Sequence, residues 1–234
     1  MILDLRDVRI TRGQGAQRYS LVVEQLCLAA GQQYALVGPS GCGKSTLLDL
    51  LALVAAPQQA AHFRFCDADI VRLWQDKRHD TLADLRSRHL GYVLQTGGLL
   101  GFASVQANIN LPRALLGLPD DGSVERLAER LDITEHLGKK PAQLSVGQRQ
   151  RASCARALAH APQLLLADEP TASLDPINAE RVMQLLLAQS GELGATRVVA
   201  THDERLARRC GLPLLHLAMA RDADGGVTAR VVQP

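Results

Sequence analysis

Aromatic residues are scarce in this 234-residue chain, with one Trp, three Tyr and three Phe making 3% of the total. Lysine is also rare, standing only at positions 44, 77, 139 and 140, so arginine supplies nearly all of the 26 basic residues. No block of like charge occurs and the formal net charge is +2, which removes the electrostatic case for a nucleic-acid partner. Long apolar runs are missing too. The best candidate, residues 47–56, carries Asp49 and stops at Pro57, well short of the roughly 20 residues a membrane helix needs. The first residues interleave acids and bases where a secretory leader would need a basic start and an unbroken apolar stretch, so the chain is expected in the cytosol. The five cysteines (27, 42, 66, 154 and 210) are odd in number, and no CxxC or Cys/His pair has zinc spacing. They read as reduced thiols that behave as small hydrophobes. What is plentiful is aliphatic: 47% of residues are hydrophobic, which excludes a disordered chain and allows one large domain.

Short apolar runs alternate with longer helical patterns. Residues 34–37 precede a glycine-rich turn and then an apolar-periodic stretch, 45–56, giving strand, loop and helix. Residues 90–94, 163–167 and 196–200 read as further strands, and their continuous apolar character suits a parallel sheet covered on both faces. The class is α/β. Alternating stretches at 2–10, 21–29 and 62–65 predict a small antiparallel β part, and the Gly- and Pro-punctuated helical texture from 96 onward predicts a helical insertion. The chain is expected to form one domain over 1–234. Its core is assigned to 1–95 and 151–234, with a helical subdomain at 96–150.

Residues 38–45, Gly38, Pro39, Ser40, Gly41, Cys42, Gly43, Lys44 and Ser45, followed by Thr46, fit G-x-x-x-x-G-K-[ST] in the strand-to-helix setting the pattern requires. Glycines let the backbone curl so that successive N–H groups face phosphate oxygens, and the helix that follows aims its positive end at the same anion. Lys44 is expected on the β- and γ-phosphates and Ser45 on Mg²⁺. The expected cofactors are thus a nucleoside triphosphate and Mg²⁺. A buried run at 164–167 then delivers Asp168 and Glu169 to the sheet edge where ligands of open α/β folds bind. Asp168 suits the metal through water, and Glu169 suits a general base for the attacking water. His202, after another apolar run, is expected beside the γ-phosphate as a catalytic partner. Cys42 reads as a small residue whose amide faces phosphate. Arg149, Arg151 and Arg156 read as a solvated or salt-bridged helix face.

A second anion cradle is predicted where Ser145 and Gly147 open a basic helix over 152–160. Two cradles for one γ-phosphate imply that two chains share a nucleotide. Leu144, Ser145, Val146, Gly147 and Gln148 resemble the Leu-Ser-Gly-Gly-Gln signature of the ABC-transporter ATPase family, with Val146 standing where the family has its first glycine. The resemblance covers essentially the whole chain, in the family's order. It makes the nucleotide ATP and implies a RecA-like P-loop NTPase fold with antiparallel β and helical subdomains, a Q-loop role for Gln95 on Mg²⁺ and the membrane partner, nucleotide contact by Ser145, Gly147 and Gln148, a dimer-crossing loop at Asp175, and a switch role for His202. The aromatic that the family stacks on adenine is missing, and Arg12 or Tyr19 is left to take its place.

Residues 91–112 are most similar to cassettes of the MacB, LolD and FtsE group. The resemblance then implies an ATP-hydrolysing subunit that pairs head to tail with a second copy and drives a separate transmembrane permease, docked through 95–119. It places the chain on the cytoplasmic face of the inner membrane, bound peripherally through that permease. A periplasmic adaptor is a third candidate partner, and no nucleic acid is expected. Two alternatives stay open at this level: a soluble ABC-type ATPase of DNA repair or translation, and a regulatory module that transports nothing.

Overall fold

The computed structural model describes residues 1–14, 17–223 and 225–232. Two ten-residue strands, β1 (Leu3–Arg12) and β2 (Tyr19–Leu28), pair antiparallel from Leu3↔Leu28 to Arg12↔Tyr19. Leu3, Leu5, Val8 and Ile10 all turn inward although the spacing is not strictly two, because Asp7 between the two pairs has a left-handed backbone (φ 50°). Next come β3 (Gln33–Val37), α1 (Lys44–Leu51), β4 (His62–Phe65), β5 (Ala68–Asp69), α2 (Ile70–Gln75), α3 (His79–His89) and β6 (Leu90–Val93). The helical stretch holds α4 (Val105–Leu115), α5 (Ser123–Arg130), single 3-10 turns at Thr134–His136 and Pro141–Gln143, and α6 (Val146–Leu158). The chain continues through β7 (Leu164–Asp168), α7 (Pro176–Glu192), β8 (Thr196–Thr201), α8 (Glu204–Arg209), β9 (Leu214–Arg221) and β10 (Val227–Val232).

The ten strands form one sheet in the order β5-β4-β1-β2-β10-β9-β3-β8-β7-β6. The expected antiparallel strands are present, yet they are hydrogen-bonded into the parallel core rather than set apart. The joint is made by β9, parallel to β3, and by β10, antiparallel to β9 and parallel to β2. Neither strand is anticipated from sequence. Half of β9, from Ala218 to Arg221, is exposed and interleaves alanines with Met219 and Arg221, so its buried apolar signal is short.

In β7 all five residues are buried, and successive side chains enter opposite cores. Leu164 and Leu166 pack with Leu47, Leu51 and Val198 on one face. Leu165 and Ala167 pack with Leu158, Val182 and Leu186 on the other. This two-sided burial is the reason the parallel strands read as unbroken apolar runs.

Three helical expectations need correction. The first helix stops at Leu51 rather than reaching residue 56, because Leu53 turns left-handed (φ 57°) ahead of Pro57. The helix expected over 152–160 spans 146–158, starting six residues earlier, because Ser145 and Gln148 form a reciprocal capping box at its N-terminus. Helices α2 and α3 are not anticipated from sequence: α2 is only six residues long, and α3 fully buries Leu82 alone amid charged residues. Among the described residues no helix is long and apolar enough to cross a membrane.

After α6, the half-buried His160 places Nε2 3.0 Å from the Leu90 carbonyl, with Nδ1 buried and unpartnered. Burial is the main cause that holds its pKa below 6.5, with the nearby His89 acting in the same direction and the Leu90 bond opposing. The unfolded chain therefore takes up this proton first as pH falls, and protonation favours unfolding. The contribution of His160 to stability is intact above about pH 6.5 and lost on further acidification. Urea unfolding of wild type and His160→Gln, followed from neutral pH down to about 5.5, is expected to show the steeper loss in wild type.

Candidate functional site

Strand β3 ends at Val37 and α1 begins at Lys44; the six residues between them form the P-loop. Gly41 (φ 78°) and Gly43 (φ 100°) are left-handed, a backbone only glycine takes without strain. Gly38 is required differently: a Cβ there would stand 2.7 Å from Cys42 Sγ. The Cys42 side chain is fully buried in the core, which removes it from the face offered to phosphate.

Lys44 is 6% exposed, and its Nζ donates to the carbonyls of Gly38 (2.9 Å) and Pro39 (3.3 Å). The same ammonium stands 3.3 Å from Glu169 Oε1, whose other oxygen meets His202 Nδ1. The sheet order makes this meeting possible. Strands β6, β7 and β8 are adjacent and parallel, with Asp168 in register with Ala200, so Gln95, Glu169 and His202 leave the sheet at one edge. Glu169 has a left-handed backbone (φ 46°), and its N–H donates to the Ala200 carbonyl at 2.9 Å. Such a conformation costs of order 1–3 kcal/mol in a residue other than glycine, and it occurs here at the residue whose carboxylate joins lysine to histidine.

Asp168 ends β7 and is 7% exposed. Burial pushes its carboxyl above the usual range; Glu169 and Asp49 add to this, while a bond from Ser45 and the charge of Lys44 oppose it. Its Oδ1 is buried and has no partner among the described residues. An orphaned carboxylate oxygen beside a serine hydroxyl, with the Gln95 amide lining the same cavity, is an all-oxygen donor set that suits a hard divalent cation. No group of three His, Cys, Asp or Glu able to hold a metal alone occurs among the described residues, so phosphate oxygens would have to complete such a site.

A cavity of about 310 Å³ is lined by Ser40, Gly41, Gly43, Lys44, Ser45, Thr46, Gln95 and Glu169. Most of the expected phosphate and metal residues thus meet in one place. Other expected residues stand elsewhere. Ser145 and Gln148 satisfy each other, with Ser145 N 2.8 Å from Gln148 Oε1 and Gln148 N 3.2 Å from Ser145 Oγ. Val146, in the first turn, is 43% exposed and absent from the left-handed positions, so a side chain is tolerated where the signature has glycine. Asp175 caps α7 by accepting from the N–H groups of Ile177 and Asn178; the Asn178 side-chain amide also donates to it at 2.6 Å and is the main cause of its lowered pKa, with the backbone bonds adding to it. Arg12 is exposed at the end of β1, opposite Tyr19, whose hydroxyl donates to the Cys42 carbonyl (2.9 Å).

The expectation for the α6 arginines is corrected at Arg156, while Arg151 makes the expected ion pair, with Asp132 at 3.9 Å. Arg156 is half-buried and donates to the carbonyls of Gly98 and Gly97 (3.0 Å for the latter), and Ser153 donates to Gly97 at 2.8 Å. These bonds tie the loop after Gln95 to the signature helix. The adjacent glycines Gly97 and Gly98, both left-handed, are the sequence signal that a side chain approaches their carbonyls closely. A separate apolar groove of about 200 Å³, lined by Tyr92, Leu111, Pro112, Leu115, Arg156 and Ala157, opens between α4 and α6.

Residues 23–172 match the family model described as ABC transporter. The chain is 41% identical over 211 residues to the lipoprotein-releasing system ATP-binding protein LolD 1 of Rhodospirillum rubrum, covering 88% of this chain and 91% of that one. It is 39% identical over 212 residues to the macrolide export ATP-binding/permease protein MacB 1 of Aeromonas hydrophila, covering 89% of this chain but only 32% of that longer protein. Among solved structures, the dimeric bacterial ABC transporter cassette MJ0796 superposes with a TM-score of 0.81 at 30% identity, over 96% of both chains. A second structure of that cassette, in a post-hydrolysis state bound to ADP and Pi, gives 0.78 at 32% identity over the same shares. On these matches the chain, with its P-loop and capped signature helix, belongs to the ABC transporter family, as an ATP-hydrolysing cassette of the MacB and LolD group.

Proposed function

We propose that the chain turns over ATP with Mg²⁺ as the motor subunit of a membrane assembly, pairing head to tail with a second copy around two nucleotides. The observation that carries this is the meeting of Lys44, Glu169 and His202 at the rim of the P-loop cavity, beside the unpartnered Asp168 oxygen. Lys44, freed from the Gly38 and Pro39 carbonyls, binds the β- and γ-phosphates, and the N–H groups of residues 41–46 take the remaining oxygens. Ser45, Asp168 through water, and Gln95 hold Mg²⁺, which when bound supplies positive charge to the phosphates. Glu169 accepts the proton of the attacking water, and His202 both orients Glu169 and donates to the γ-phosphate.

The second copy contributes the N-terminus of its α6, with Ser145, Gly147 and Gln148, and its Asp175 loop. Support comes from Gly147: it is not left-handed, and an added Cβ would meet only Leu174 at 3.7 Å, an ordinary contact. Nothing within its own chain demands glycine there, which fits a surface approached closely by another molecule. The partner in the membrane is a separate permease of the MacB, LolD or FtsE type. It docks in the apolar groove beside α4, where Leu115 is 73% exposed, and so places the chain on the cytoplasmic face of the inner membrane. Arg12 is the candidate for adenine stacking, being exposed at the strand end on the P-loop side of the sheet.

Three outcomes are expected. Glu169→Gln keeps ATP binding, slows turnover by about 10²–10⁴-fold and elutes as a dimer when ATP is present; wild-type turnover in this variant refutes the assigned base. Lys44→Ala loses at least about 10²-fold in turnover, measured by phosphate release. Leu115→Glu leaves ATPase activity of the isolated chain intact and abolishes co-purification with the permease from detergent-solubilised membranes.

A further inference from the structure

Tyr19 reads from sequence as a ring that folds over adenine. Its position is more specific. The hydroxyl donates to the Cys42 carbonyl at 2.9 Å, and a Cβ on Gly43 would fall 1.6 Å from that hydroxyl and 2.6 Å from Cζ. The edge of the phenol therefore occupies the space a side chain at position 43 would need. Strand pairing fixes the ring there: Tyr19 is in register with Arg12 on one side and Val227 on the other, and Leu21, on the same face of β2, is buried in the core. The intervening Ser20 faces the opposite side, against Thr11 (3.1 Å), so turning the ring away would break the alternation of the strand. Burial pushes the phenol pKa up to about 12, which keeps the hydroxyl a donor.

A trans peptide points its C=O and N–H in opposite directions, and no peptide among the described residues is cis. Pinning the Cys42 carbonyl on Tyr19 thus directs the Gly43 N–H away from the tyrosine, toward the cavity that Gly43, Lys44 and Ser45 line. We propose that Tyr19 acts on the nucleotide through the P-loop rather than through the base, as a positioning residue that fixes the Cys42–Gly43 peptide for phosphate binding. This rests on the nucleotide-site reading above.

Binding of ATP and of inorganic tripolyphosphate, both with Mg²⁺, separates the two roles, since tripolyphosphate has no base to stack. Tyr19→Phe keeps the ring and removes one hydrogen bond; it is expected to weaken both ligands by the same factor, about fivefold. Tyr19→Ala is expected to weaken both further. A loss confined to ATP, with tripolyphosphate binding untouched, overturns the proposal in favour of stacking. Unchanged binding of both ligands by both variants overturns it as well. A wild-type chain that binds neither ligand overturns the nucleotide-site reading itself, and the wild-type control tells that failure apart.

Discussion

One oxygen of the Asp168 carboxylate lies buried with no hydrogen-bond partner among the described residues. Leaving such a group unsatisfied costs about 1–3 kcal/mol, and the arrangement around it explains why the fold bears that cost. Strand β7 is buried along its whole length, so it cannot fray, and its last residue is held at the sheet edge between β6 and β8. Residues that follow the three strands then share one rim with the P-loop. The left-handed Glu169 is the geometric result: the chain must reverse direction immediately after Asp168, and doing so swings the glutamate toward Lys44 and His202.

Charge at this rim is balanced inside the protein. Lys44 is satisfied by two carbonyls and by Glu169, which also meets His202, so no bare cation waits in the cavity. An incoming triphosphate therefore exchanges one set of partners for another instead of neutralising an isolated charge. Such an exchange costs less than carrying an unpaired buried ammonium in the empty site.

The parallel strands, the P-loop and the acidic pair were legible in the sequence because each depends on a local rule: continuous apolar runs for strands buried on both faces, and glycines where the backbone turns left-handed. What escaped depends on pairings that composition and periodicity do not mark. Strands β9 and β10 pair with elements about 200 residues away and bury few of their own side chains. The early start of α6 depends on a reciprocal cap that was present in the sequence as Ser145 and Gln148, but was read for phosphate binding alone. Arg156 carried no signal of its own. Its guanidinium bonds backbone carbonyls and no carboxylate, so charge patterning could not reveal its partner. Tyr19 was noticed as an aromatic, while its direction was set by strand register.

The continuity of the sheet has a mechanical consequence. Ten strands joined by one hydrogen-bond ladder behave as a stiff plate, and the antiparallel edge cannot pivot on the parallel core without breaking strand pairs. Helices α4 and α5 have no such splice: Val105, Ile109, Val124 and Leu127 join the buried cluster shared with α6 and β7, and Arg113 adds a bond to the Ala159 carbonyl. Arg156 belongs to both neighbourhoods, lining the groove beside α4 and bonding the glycines behind Gln95, so an occupant of that groove touches a side chain already tied to the loop that enters the P-loop cavity.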